Sequence, residues 1–237
     1  VQGGSDMYPT SLVETQNVIN FVKNRPNIAG AQSYHNSGGM LLRGPGMQQD
    51  EYRPQDVRVF DALGAVGERI LPGYRYMVVW KDLYTVWGGE LDWFYGARGI
   101  LTFSNELWTS FKYFETAAQN TDRNDRIDYE FDRLLLFGEA FVPWTKVIHP
   151  QFGEVEVGGM KKQYGRAVPG FLLPAESHRN MAFTVFQASE MPLVQIDSIA
   201  VKSLGNGLSE VTAITSNPKL APTHTQQDVE NNISRPN

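Results

Sequence analysis

The chain has 237 residues, 41% of them hydrophobic and 20% charged, with a formal charge of −5. That length can bury a sizeable core as one large domain or two modest ones, and the acidic balance argues against a general binder of nucleic acid or anionic membrane, since both need a basic face. There is no cysteine, which excludes disulfides and thiolate metal sites and leaves the redox compartment undetermined, and no apolar run approaches the roughly 18 residues of a membrane span.

"TSLVETQNVINFVKNRP" reads as the first helix. Ser11 and Glu14 have the spacing of a capping box, Pro26 supplies the stop, and Leu12, Val18, Ile19 and Val22 form the stripe expected to be buried. "NIAGAQSYH" is a short core strand that delivers His35 at its C-terminal end. "RPQDVRVFDALGAVGERIL" is a second helix, with Pro54 in its first turn and Val57, Phe60, Leu63 and Ile70 inward. "YRYMVVW" is another strand, and after the Gly88-Gly89 turn "RGILTFSNEL" is a buried strand carrying Glu106 near its end. "DRIDYEFDRLLLFGEAF" reads as a long amphipathic helix with Ile127, Phe131, Leu134 and Leu135 on one face. Its carboxylates, with those just before it (Asp122, Asp125, Asp128, Glu130, Asp132), form the wet face. Strands and helices thus alternate to about residue 149, the α/β pattern with a largely buried sheet.

Beyond His149-Pro150 the texture changes. "GEVEVGG", "MAFTVFQ", "LVQIDSIAVKSL" and "LSEVTAITS" read as strands between Gly, Pro and Asn turns, and "LGNGL" is a hairpin signal. With no helical pattern of useful length, residues 150–237 are expected to form an all-β, sandwich-like domain that is incomplete, ending in a polar tail.

Few residues could carry chemistry. His35, at a strand end before a glycine-rich turn, could be a metal ligand or a general acid-base group, although alone it reads first as a capped structural histidine. Glu106 follows an apolar run, where burial raises a carboxyl pKa and suits a general base or acid; alone it reads first as a solvated Glu. Both fall at C-terminal strand ends, where ligands bind in open α/β sheets, and parallel neighbouring strands would put them on one edge. Tyr84 precedes "TVWGG", whose glycines permit movement, and could cap a pocket or be an ordinary half-buried aromatic. His149, His178 and His224 fall in the β-rich region or the tail, and Asn232 begins a sequon-like "NIS". There is no phosphate-binding loop, no dinucleotide fingerprint and no serine-hydrolase elbow.

In order, "SYHNSGGMLL", Tyr84, "GGELDWFY" and "ILTFSNEL" resemble the zinc carboxypeptidases of the carboxypeptidase A type. The resemblance covers residues 1 to about 149 and implies the C-terminal portion of a catalytic domain with a mixed, mostly parallel sheet. It implies that His35 is a Zn2+ ligand, that Glu106 activates a water and shuttles its proton, and that Tyr84 closes over the substrate's C-terminal residue. Leu91 would line the specificity pocket and favour apolar C-terminal residues of a peptide substrate. It also implies a strained or cis peptide near Asn36–Ser37. Export is common in the family. The family's other two zinc ligands come from a His-x-x-Glu motif, and none of the four histidines here has Glu three positions on. With an Asn-Arg pair and a further Arg for the substrate carboxylate also missing, the chain is expected to be a fragment of a longer enzyme. The alternative is a non-catalytic relative that binds peptide or glycan.

Overall fold

The central sheet is assembled from four short strands, β1 (Gly30–Asn36), β2 (Met40–Arg43), β3 (Arg75–Val78) and β4 (Leu101–Leu107), in the order β1-β4-β2-β3. The computed structural model describes residues 6–110, Tyr113 and residues 125–234. The β1–β4 and β2–β3 pairs are parallel and β2–β4 is antiparallel, giving a mixed, mostly parallel sheet. The step from β1 to β2 passes over the end of β4. Gly38 N donates to the Trp108 carbonyl and Gly39 N to the Glu106 carbonyl, each at 2.9 Å. Gly39 has φ +67°, and a Cβ there would meet Thr109 Cγ2 at 2.5 Å, so this crossing needs glycine.

One face of the sheet is covered by α2 (Pro54–Ile70) and α6 (Leu173–Ser189). Phe60 and Leu63 of α2, Phe183 of α6, Leu41 of β2 and Phe103 of β4 make one fully buried cluster. Each such phenylalanine contributes about 1.5–3 kcal/mol by leaving water. The other face carries α3 (Glu90–Arg98) and the end of α1 (Val13–Lys23), where Val22, Phe94 and Ile100 pack with Ala31 of β1. After β4 come α4 (Asp125–Phe131), the antiparallel hairpin β5–β6 (Phe141–His149, Gly153–Met160) and α5 (Lys162–Arg166). A second hairpin, β7–β8 (Gln195–Gly205, Leu208–Ser216), and α7 (Gln226–Asn231) complete the order. The α/β part is thus followed by a β-rich part. No helix among the described residues is long and apolar enough to cross a membrane.

Several sequence expectations need correction. "MAFTVFQ" is part of helix α6, not a strand, with Phe183 and Gln187 inward and Met181 and Val185 exposed, so a helix of 17 residues lies beyond residue 150. Its β-branched and aromatic residues gave a strand-like reading, but Glu176, Asn180, Phe183 and Gln187 recur at helical spacing and are all buried. The Ser11–Glu14 capping box does not form: α1 begins after Leu12 without a side-chain cap, and Ser11 Oγ donates to Asp6 Oδ2 at 2.6 Å. Leu12 and Val18 are exposed, Ile19 is half-buried, and Val22 is the residue α1 buries. The long helix ends its regular part at Phe131 and widens into a looser turn over Asp132–Leu136, leaving Leu134 exposed. Asp132 is no wet-face residue. It is buried and accepts from Ala140 N at 2.7 Å and Phe141 N at 3.2 Å, fixing the start of β5. Asp122 and the Asp125 side chain lie outside the described residues.

The polar tail is also structured. Thr225 caps α7 by accepting from Asp228 N, and the buried Asp56 of α2 accepts from Gln226 N, Gln227 N and the Tyr95 hydroxyl at 2.8–3.0 Å. Although burial works the other way, hydrogen bonds from Ser234 and His224 hold the Asp228 carboxyl below its ordinary range.

Candidate active site

Side chains alternate across a strand, so Ser104 and Glu106 of β4 point to the same face, as does His35 of β1. In the parallel β1–β4 register His35 stands directly opposite Glu106. That edge opens into a cavity of about 450 Å3, and His35, Tyr84, Leu91 and Glu106 all line it. The four residues singled out from the sequence therefore share one cavity. Leu91, buried at the start of α3, packs with Leu42, Met77 and Val79, so one wall is apolar. Tyr84 follows the helical turn Val79–Leu83, with its backbone N–H on the Val79 carbonyl at 3.0 Å, and its side chain is 51% exposed at the mouth. The Asn36–Ser37 peptide is cis.

Two carboxylates that the sequence reading passed over shape this cavity. Glu90 Oε1 lies 3.1 Å from His35 Nε2. When Nε2 carries the proton in that pair, Nδ1 is left with its lone pair, the arrangement by which a carboxylate orients a metal-binding imidazole. Asp92 accepts from Gly46 N with both oxygens, at 3.0 and 3.1 Å, tying the first turn of α3 to the loop after β2. Burial pushes Asp92 above the ordinary carboxylate range, against the pull of the Gly46 N–H. In sequence, Glu90 and Asp92 look like first-turn acids complementing a helix dipole. Only the approach of α3 to His35 of β1 and to Gly46 in the loop after β2 distinguishes them.

Glu106 is half-buried, and burial raises its pKa, with the charges of His35 and Arg166 acting in the opposite direction. Arg166 belongs to α5 and was not anticipated as a neighbour. It is held there by Asn36 Nδ2 on its carbonyl and Ser37 Oγ on the Gly165 carbonyl, both at 2.8 Å. A carboxyl whose ionised form is penalised by burial while a neighbouring guanidinium favours it is suited to taking and returning a proton.

A catalytic zinc takes three protein ligands and keeps one position open. His35 could supply one nitrogen, yet no group of three His, Asp or Glu residues able to hold a metal occurs among the described residues. These side chains alone do not fit a complete zinc site. The cavity's described lining also contains no Lys or Arg to hold a substrate carboxylate. The remaining histidines stand apart. His149 stacks on Phe152, His178 is exposed on α6, and His224 pairs with Asp228 Oδ2 at 2.8 Å.

No curated protein matches the chain. A model of a domain of unknown function matches residues 193–237, covering β7–β8 and α7. The zinc carboxypeptidase model matches residues 2–128, more than half of the chain, and spans the whole four-stranded sheet with His35, Tyr84, Leu91 and Glu106. The chain belongs to the zinc carboxypeptidase family, which supports a metallopeptidase-type function acting on peptides.

Proposed function

We propose that the His35–Glu106 edge is one half of a metallocarboxypeptidase site, with Glu106 as the group that moves the proton. The observation carrying this reading is the convergence of His35, Glu106, Tyr84 and Leu91 on one cavity at the C-terminal ends of two parallel strands. Glu106, with the Arg166 charge nearby favouring its carboxylate form, takes a proton from the attacking water. It then returns that proton to the departing amine as the amide bond breaks. Tyr84 covers the bound C-terminal residue, whose side chain rests on the apolar wall of Leu42, Val79 and Leu91. His35, oriented by Glu90, would supply one nitrogen to a zinc ion bound there, whose part would be to polarise the scissile carbonyl and acidify the attacking water. The other ligands and the cation for the substrate carboxylate would have to come from residues beyond the described ones.

The substrate assignment is tested on the polypeptide that carries the full ligand set, with two blocked peptides differing only in a C-terminal Phe or Arg. Release of Phe should exceed release of Arg by at least about tenfold, the effect of placing a charge against an apolar wall. Preferred release of Arg would contradict the role of Leu91. Binding of both peptides without cleavage would favour a non-catalytic relative.

A further inference from the structure

Beside its apolar wall the candidate active-site cavity carries the carboxylates of Glu90, Asp92 and Glu106 and no described Lys or Arg, whereas a neighbouring space carries the opposite charge. A second cavity, of about 500 Å3, lies between α4, the β5–β6 hairpin and α5. Lys161, Lys162 and Arg166 line it together with Trp144, Tyr129 and one carboxylate, Asp128. None of the three cations forms an ion pair among the described residues. Lys161 Nζ donates to the Glu139 carbonyl, a neutral acceptor, at 2.6 Å. Three cations without an ion pair among the described residues, gathered around one cavity, stand out in a chain of net charge −5.

The cavity is fastened to the catalytic edge. The Gly165 and Arg166 carbonyls accept from Ser37 and Asn36, the residues that follow His35. Glu106 lines the first cavity, and Arg166, whose charge acts on Glu106, lines the second, so the two cavities approach each other at this pair. Trp144 sits where the β5–β6 register shifts, between Val142 and Thr145, and the residue is 60% exposed. A bulge of this kind re-aims a side chain. Gly158 across from it leaves the necessary room, since a Cβ there would stand 2.7 Å from Trp144 Cα.

We propose that this second cavity is a subsite for an acidic peptide segment. The substrate stretch N-terminal to the scissile bond lies along Trp144, with its carboxylates against Lys161, Lys162 and Arg166. The inference deepens the peptidase reading and rests on it for the direction in which the peptide runs. Its test needs no turnover. A dye-labelled hexaglutamate peptide and its hexaglutamine counterpart are titrated with the chain and followed by fluorescence anisotropy. Several charge contacts of up to about 1 kcal/mol each should make the glutamate peptide bind about tenfold tighter at low salt, a preference that fades as salt is added. Lys162→Glu should weaken the glutamate peptide about fivefold or more and leave the glutamine peptide unchanged, because Lys162 is exposed. Trp144→Ala should weaken both peptides, with circular dichroism confirming that each variant is folded. Equal affinity for the two peptides, an unchanged Lys162→Glu variant, or a single-stranded oligonucleotide bound as tightly as hexaglutamate would each overturn the subsite. Glutamate-selective binding by a ligand-complete enzyme that hydrolyses nothing would remove the peptidase reading and keep the subsite. Hydrolysis without glutamate selectivity would do the reverse.

Discussion

Phe103 on β4 and Val201 on β7 are both strand residues of high β propensity, yet Phe103 is fully buried and Val201 is 67% exposed. β4 lies between two strands, with helices on both faces of its sheet, whereas β7 has a single partner and is exposed along all its residues. Ile199, Val201 and Val211 gather on one side of the β7–β8 hairpin and are exposed, with no layer over them among the described residues. The contrast shows what holds a site. Glu106 ends a strand whose preceding five residues are all buried, so its carboxylate is carried by a rigid element. A side chain on β7–β8 has no comparable support.

The sharpest way to break this comparison is to truncate matched residues in the two regions. Phe103→Ala should cost about 3–5 kcal/mol in urea unfolding, as expected for deleting a buried aromatic ring. Val201→Ala should stay within about 0.5 kcal/mol. Similar losses at both positions would mean that the hairpin is covered by a layer the comparison leaves out.

A smaller effect tests how the chain's end is tied to the core. Asp56→Ala removes the acceptor shared by Gln226 N, Gln227 N and Tyr95 and should cost about 2–3 kcal/mol. Hydrogen exchange should quicken at the Gln226 and Gln227 amides while β7–β8 is unchanged. Unaltered exchange at those two amides would show that α7 docks by other contacts.

The smallest effect concerns Glu106. Because burial raises its folded pKa, the folded state holds its proton more tightly than the unfolded chain. The stability tied to that proton is full below the unfolded pKa of about 4.3 and is lost as pH rises through the folded value. Glu106→Gln removes this loss, so the variant should melt slightly above the parent at pH 7 and alongside it at pH 4. A variant less stable at pH 7 would place a stabilising partner on the carboxylate.

Much of the α/β part was readable because its signals are local. Pro54 and the spacing of Phe60 and Leu63 mark α2, and the apolar run before Glu106 marks β4. The ordered set of His35, Tyr84, Leu91 and Glu106 was readable as a family pattern. Three features depended on distant contacts. Helix α6 is recognised as part of the core only through Phe183 against Leu41 and Phe103. Asp132 looks solvated until Ala140 N and Phe141 N fold back onto it. Glu90 and Arg166 reach the site from separate elements, 55 and 130 or so positions along the chain, through the pairing with His35 and the hydrogen bond from Asn36. No periodicity or spacing reports such approaches.

The central claim is that Glu106 moves the proton at a zinc-peptidase edge. It is tested most directly by turnover of a blocked peptide ending in Phe, with zinc content measured on the same samples of the ligand-complete polypeptide and its Glu106→Gln variant. The account predicts a loss of about 10²–10⁴ in kcat with zinc stoichiometry unchanged. Turnover within a few-fold of the parent at equal zinc would contradict it.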